Sequence, residues 1–204
     1  MAVEEPKFEL IAQDGSFEMR RYAPIIIAET WVEGDMDAAS SKGFRLIADY
    51  IFGNNTAAGA VAEKASQKIA MTAPVVMEPV AGSAKIEMTA PVTAEPLVAG
   101  ADLSTASQWR IHFVMPAEYT MPALPTPNNA AVTLKQLPAR TFAVLTYSGL
   151  NTVPRIQQKT GELTAWLKQK GIEPTGAPRL ARYDPPWTLP MWRRNEIQVE
   201  VKLP

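Results

Sequence analysis

Cysteine is absent from this 204-residue chain, and histidine occurs once. Without cysteine the chain has no disulfide, no thiolate metal ligand and no cysteine nucleophile, and a single imidazole excludes metal sites built from several histidines. Most metal chemistry and most nucleophile–base pairs are therefore excluded by composition. His112 is the one imidazole available as a metal ligand.

An excess of either charge sign is also absent. Twenty Lys and Arg residues face 21 Asp and Glu residues, for a net charge of −1, so bulk charge favours neither nucleic acid nor an anionic membrane as a partner. No apolar run approaches the ~20 residues that span a bilayer. The first residues, MAVEEPKFELIAQ, lack the pattern of a signal peptide. We expect no integral membrane segment and a cytoplasmic location; a periplasmic location stays open if a signal peptide has been removed.

The chain length and its 47% hydrophobic residues suit one large domain or two small ones. The first local signal is Asp14-Gly15 between two alternating segments, which predicts a β-hairpin because both residues tolerate the positive φ of a tight turn. A β-branched run, IIIAETWVE, then predicts a strand that ends at Gly34. No feature of the sequence identifies a protein partner.

Residues 35–54 predict an amphipathic helix that lies on a sheet. Apolar residues recur at helical spacing in DMDAASSKGFRLIADYIFGNN, and Asp35 or Asp37 is available as the N-cap. Gly53 marks the end of the helix.

An eight-residue phrase occurs twice, as KIAMTAPV at 68–75 and as KIEMTAPV at 85–92. Its alternation of apolar and polar residues predicts two strands joined as a hairpin. Met71 and Met88 would then lie on the apolar faces, where a core role is favoured over thioether ligation. Pro74 and Pro91 indicate strand ends or edges.

The second half of the chain repeats the order of elements found in the first. WRIHFVMP predicts a strand with His112 and Arg110 opposite Trp109, and two strands, a helix and two further strands follow it. A strand that ends in glycine precedes each helix, at Gly34 and again 115 residues later at Gly149. We interpret residues 1–204 as one α+β domain, a distorted antiparallel β-barrel with two helices and pseudo-duplicated βαββ halves at about 7–115 and 130–202.

Four segments carry a resemblance to a known family: FEMRRYAP, KIAMTAPV, HFVMPAEYTMPALPTPNN and ARYDPPWTLPMWRRNEIQVEV. In this order they resemble the SOUL haem-binding proteins, from about Phe8 to Val201. The resemblance implies a distorted barrel of two βαββ halves and binding of haem or another tetrapyrrole. It also implies a fold similar to the effector-binding domains of bacterial transcription regulators.

The resemblance further implies a ligand groove between the first helix and the loop before the last strand. The matching positions are Ser41, Phe44, Arg45, Ala48, Asp49, Trp187, Thr188 and Leu189. Arg45 would pair with a propionate while Phe44 and Trp187 lie against the macrocycle. The alternative is that Phe44 packs on the sheet and Arg45 is a solvated helix charge. Trp187 and Trp192 are expected to be the largest exposed aromatic residues.

Three further residues are weaker candidates. In some family members a histidine that is a proposed haem ligand precedes the tyrosine of an R-x-Y motif; Arg21 takes that place here and can pair with a propionate. For His112, a structural or solvated role is favoured over ligation. For Glu196, a surface charge is favoured over an acid or base near the pocket.

Three functions remain open at this point. The first is non-catalytic binding of a tetrapyrrole, as a carrier, buffer or sensor. The second is binding of a small-molecule effector without iron, which requires a partner protein. The third is a hydrolase or a tetrapyrrole-modifying enzyme, for which the sequence offers no nucleophile–base pair.

Overall fold

The computed structural model describes residues 3–59, 65–80, 103–185 and 187–203, which form strands and two α-helices. Their order is the predicted one apart from two short strands that were not predicted, Asn55–Thr56 and Thr126–Pro127. The elements are β1 (Phe8–Asp14), β2 (Phe17–Tyr22), β3 (Ile25–Glu33), α1 (Met36–Ile51), β4 (Asn55–Thr56), β5 (Val75–Pro79), β6 (Gln108–Val114), β7 (Thr126–Pro127), β8 (Thr133–Leu137), β9 (Arg140–Ser148), α2 (Val153–Gln169), β10 (Arg179–Arg182) and β11 (Arg194–Glu200).

Nine of these strands form one curled antiparallel sheet, a half-barrel, in the order β1-β2-β9-β11-β10-β5-β6-β3-β8. β5 and β10 pair at its centre. On one side of this pair lie β6 and β3, and on the other lie β11 and β9, so the order is symmetric about the centre. β2 pairs with β9 and β8 pairs with β3. The predicted α+β class with two helices is confirmed.

Local sequence signals explain how the first elements begin and end. Gly15 has φ +61° in the turn between β1 and β2, where Asp14 pairs with Phe17, so the hairpin prediction is confirmed. Asp35 caps α1, because its Oδ1 accepts hydrogen bonds from the backbone N–H groups of Asp37, at 3.0 Å, and Ala38, at 2.9 Å. Gly53 follows the helix with φ +124°.

Both helices pack on the same face of the sheet. Gly43 marks the closest approach of α1, since a Cβ at this position would lie 2.5 Å from Cγ1 of Ile111 on β6. The core between helices and sheet includes Ile47, Tyr50 and Ile51 of α1, Ile156, Leu163 and Leu167 of α2, and Met77, Ile111, Phe113, Leu180 and Ile197 of the strands. None of the described helices is long and apolar enough to cross a membrane.

The strand predicted over the first copy of the repeated phrase is wrong for most of its length. β5 begins only at Val75, because the backbone before it bonds to two different elements. The Ile69 N–H donates to the carbonyl of Ile51, and the Ala73 N–H donates to that of Glu4. Met71 is 37% exposed and not in the core. The second copy, the hairpin and Met88 lie outside the described residues.

Candidate functional site

The outer side of α1 carries most of the residues expected at the ligand groove. Ser41, Phe44 and Arg45 are exposed and lie three and four positions apart, so they share one face of the helix. Phe44 is 38% exposed, and its ring lies 5.5 Å from that of Phe113 on the sheet. Phe44 therefore packs on the sheet with one edge and leaves the other open. Ala48 is 7% exposed and lies at the base of this face.

Among the described residues, Arg45 has a polar contact with its own helix alone. Its Nε donates to the carbonyl of Ser41 at 3.2 Å, and no carboxylate among the described residues forms an ion pair with it. The guanidinium therefore keeps most of its hydrogen-bonding capacity for a ligand.

Sequence reasoning missed Phe52, which directly follows α1. Its side chain is 57% exposed. Phe44, Ala48 and Phe52 follow one another at intervals of four residues, so they lie along the same side of the helix. This spacing was visible in the sequence and could have identified it. We call Ser41, Phe44, Arg45 and Phe52 the α1 surface. It combines two exposed aromatic rings with one cation that has no carboxylate partner in the described part of the chain.

The loop before β11 carries a second exposed apolar group, which we call the aromatic loop (residues 187–192). Trp187 is 82% exposed and Trp192 is 71% exposed, which confirms the sequence prediction. The backbone of the loop is anchored. The carbonyl of Pro190 accepts the N–H of Gly149, and the Thr188 carbonyl accepts Nε of Arg193 at 2.7 Å.

The end of β10, the strand that leads towards this loop, lies beside the N-terminal part of α1. Arg182, at the end of β10, donates to Oγ of Ser40 at 3.2 Å and lies 3.6 Å from a carboxylate oxygen of Asp37. Across the described residues, no hydrogen bond, ion pair or ring contact joins Phe44 or Arg45 to the aromatic loop. Arg182 therefore places the end of β10 beside α1, and the described residues show no polar contact between the two halves of the expected groove.

His112 lies on the opposite face of the sheet. On β6, Trp109, Ile111 and Phe113 belong to the core under the helices, so His112 and Arg110 point the other way, as the alternation predicted. His112 is 1% exposed, and burial lowers its pKa to about 3, with Glu78 opposing and Arg110, Arg179 and Arg140 adding to the shift. The imidazole is neutral at neutral pH and cannot reach a ligand on the α1 surface.

Arg21 is also remote from the α1 surface. It projects from β2 and pairs with Glu9 of β1 at 3.2 Å, with both side chains more than half exposed. This pair belongs to the β1–β2 hairpin.

The face that carries His112 is lined by buried charges. Arg110 binds Glu29 at 2.6 Å through Nε and Glu78 at 2.8 Å through Nη1, and Arg179 binds the other oxygen of Glu78 at 3.2 Å. The guanidinium of Arg179 also lies 3.7 Å from the centre of the Phe142 ring. This network joins the two halves of the sheet across the β5–β10 pair.

Glu196 belongs to the same face and is 1% exposed, so its interpretation as a surface charge is wrong. Its carboxylate accepts from Arg20 at 3.0 Å, the Tyr183 hydroxyl at 2.7 Å and the Gln198 amide at 2.6 Å. Burial, followed by the charge of Glu196, raises the pKa of Tyr183. Because the carboxylate already accepts these three hydrogen bonds, we interpret Glu196 as a structural residue. Among the described residues there is no group of three or more His, Asp or Glu side chains that could hold a metal ion.

The fold belongs to a class of α+β domains known from several solved structures. The EcmrR C-terminal domain matches 91% of this chain and 96% of its own length, at 14% identity and a TM-score of 0.59. An uncharacterized conserved protein from Listeria innocua matches 92% of each chain, at 12% identity and a TM-score of 0.59. A hydrolase from Listeria innocua matches 94% of each chain, at 12% identity and a TM-score of 0.53. At these identities the likeness shows the fold alone.

The sequence model of the SOUL heme-binding protein family matches residues 3–200, and the chain belongs to this family. The family resemblance expected from the four sequence segments is therefore confirmed. A search of curated proteins finds no match to this chain.

Proposed function

We propose that this protein binds haem or a related tetrapyrrole without catalysing a reaction, and that the ligand lies on the α1 surface against the aromatic loop. The observation that carries the proposal is Arg45, an exposed arginine with no carboxylate partner among the described residues, between two exposed phenylalanines. Membership of a haem-binding family supports the ligand class.

The residues present fit the chemistry of a tetrapyrrole. When bound, the ligand supplies a flat apolar face and two propionates. Phe44 and Phe52 provide an apolar floor, and Trp187 provides a large exposed ring for contact with the macrocycle. Arg45 can donate two parallel hydrogen bonds to one propionate. Such a site does not depend on a histidine ligand, which agrees with the burial of His112 on the other face of the sheet.

Titration of the purified protein with ferric haem and with metal-free protoporphyrin tests the proposal. Absorbance and tryptophan fluorescence report binding. A charge-assisted hydrogen bond is worth about 1.5–3 kcal/mol, so Arg45→Ala should weaken haem binding by about 10- to 100-fold with little change in Tm. Lys168→Ala removes an exposed cation from α2 and serves as the matched control.

Two further variants separate the parts of the proposed site. Trp187→Ala should weaken haem and metal-free protoporphyrin alike, because stacking on a macrocycle face does not require iron. His112→Gln should leave haem affinity unchanged, because no bond to iron is lost. Wild-type affinity in both the Arg45 and the Trp187 variants would show that the ligand does not use this surface. If neither porphyrin binds the wild-type protein, a different small-molecule effector becomes the better hypothesis.

A further inference from the structure

A small cavity of about 30 Å³ lies on the sheet face that points away from the helices. Its polar lining consists of Tyr22, His112, Arg140, Arg179, Tyr183 and Gln198. A buried water needs about 10–15 Å³ of such volume. The cavity therefore has room for about two water molecules or for the two oxygen atoms of one carboxylate.

His112 lines this cavity, and one nitrogen of its imidazole is unpaired among the described residues. Its Nδ1 is fully buried and has no hydrogen-bond partner among the described residues. A buried donor or acceptor without a partner costs about 1–3 kcal/mol, and such atoms are rare in native proteins. A group bound in the cavity would therefore lie beside an imidazole that still has one hydrogen-bonding position unused.

The charges around the imidazole favour an anionic group. Among the charges that act on His112, Glu78 has the largest single effect, and three cations, Arg110, Arg179 and Arg140, oppose it. Arg110 and Arg179 already form ion pairs with Glu78 in the buried network. Arg140 is different, because it is about one-quarter exposed and contacts Glu200 at 3.3 Å. Arg140 can therefore turn towards a ligand without breaking a buried ion pair.

A larger groove of about 440 Å³ adjoins the small cavity. The two share Pro6, Ala23, Ile25 and Val114 in their walls. Small-molecule sites are typically about 300–1,000 Å³ in volume, with mostly apolar walls. Ile26, Met115, Pro116 and Met121 supply such walls here.

The acidic residues at the groove are already engaged. Glu4 accepts the backbone N–H of Ala117 at 2.9 Å, and Glu5 forms an ion pair with Arg194. They therefore oppose an anionic ligand less than free carboxylates would.

We propose that this composite cavity is a second ligand site, which takes an amphipathic carboxylate with its carboxylate group against His112 and Arg140 and its apolar chain in the groove. The site is separate from the α1 surface, because none of its lining residues belongs to the α1 surface or to the aromatic loop. It does not depend on binding of a tetrapyrrole.

The probe is octanoate, and octanol, which lacks the carboxylate, is its control. Since the chain has a single histidine, one imidazole signal in a ¹³C- and ¹⁵N-detected NMR titration reports on the cavity. We expect octanoate to shift this signal saturably and octanol to leave it in place. Arg140→Gln should weaken octanoate binding tenfold or more. Arg21→Gln changes an exposed arginine of the β1–β2 hairpin and should have no effect.

Two more variants keep the outcome decisive. Met121→Trp narrows the groove without changing charge and should weaken octanoate binding even if Arg140→Gln folds poorly. Arg45→Ala should leave octanoate binding unchanged, so that failure at the α1 surface and failure at this cavity can be told apart. The proposal is overturned if octanoate does not shift the imidazole signal, if octanol shifts it equally, or if Arg140→Gln folds and binds octanoate with wild-type affinity.

Discussion

Acid should destabilise this protein through one identifiable side chain. His112 is 1% exposed, and burial, together with the charges around the imidazole, lowers its pKa to about 3 in the folded protein. In the unfolded chain its pKa should return to its ordinary value of about 6.5. At a pH between these two pKa values, His112 carries a proton in the unfolded state and none in the folded state.

The free energy of unfolding should therefore fall as the pH drops below about 6.5, and this loss should continue to about pH 3. For a single histidine with these two pKa values, the loss between pH 7 and pH 5 comes to about 2 kcal/mol. Glu78 adds little in this window. Burial would raise its pKa, but the positive neighbours of its carboxylate outweigh burial and lower it, so its contribution is lost only at more acidic pH.

Urea denaturation of the wild-type protein and of His112→Gln, each at pH 7 and pH 5, measures this effect. Gln fills a similar volume and does not titrate, so the variant should lose about 2 kcal/mol less than the wild type over the same interval. The remaining pH dependence, which comes from other groups, should be the same in both proteins. Equal losses would show that the imidazole already carries its charge in the folded protein, and the argument from burial would be refuted.

Two further predictions compare matched positions. Gly43→Ala should destabilise the protein by about 1–3 kcal/mol in urea denaturation, because the new methyl group would collide with Ile111. Gly161 is the matched control, since it lies at an exposed helical site where a new Cβ would meet nothing within 4 Å. Gly161→Ala should therefore stabilise the protein by about 0.5–1 kcal/mol. A stable Gly43→Ala would mean that α1 can move off the sheet. Glu78→Ala should lower the free energy of unfolding by about 3–5 kcal/mol, because it leaves buried arginine charge uncompensated. Glu9→Ala removes one partner of an exposed pair and should lower it by less than about 1 kcal/mol. Similar losses in the two variants would contradict the buried network.

Elements with local causes could be predicted from the sequence. The Asp14-Gly15 turn, the Asp35 cap and the helical spacing of α1 each depend on residues a few positions apart. The repeated phrase is a case in which the local pattern did not predict the structure. Its alternation is that of a strand, yet residues 68–74 bond to the end of α1 and to Glu4. A strand requires a partner with free backbone groups along its length, and no local pattern reveals where that partner lies.

The candidate site divides in the same way. The family resemblance, and not the spacing, indicated Ser41, Phe44 and Arg45. Their i, i+3 and i+4 spacing puts them on one face of α1, and the same periodicity would have found Phe52. That the site binds a ligand remains a prediction. Exposure of Trp187 and Trp192 followed from a Pro-rich loop and is confirmed.

The sequence by itself determined which residues share a face, because side-chain direction follows from the geometry of a single strand or helix. It placed His112 and Arg110 opposite Trp109 correctly. Only the tertiary structure decided that this second face is buried. The sheet curls so that β5 pairs with β10. Charged residues from distant parts of the chain then come within hydrogen-bonding distance: Arg110 reaches Glu29, and Arg179 reaches Glu78. Burial depends on how the whole sheet closes, which no segment of the chain specifies alone.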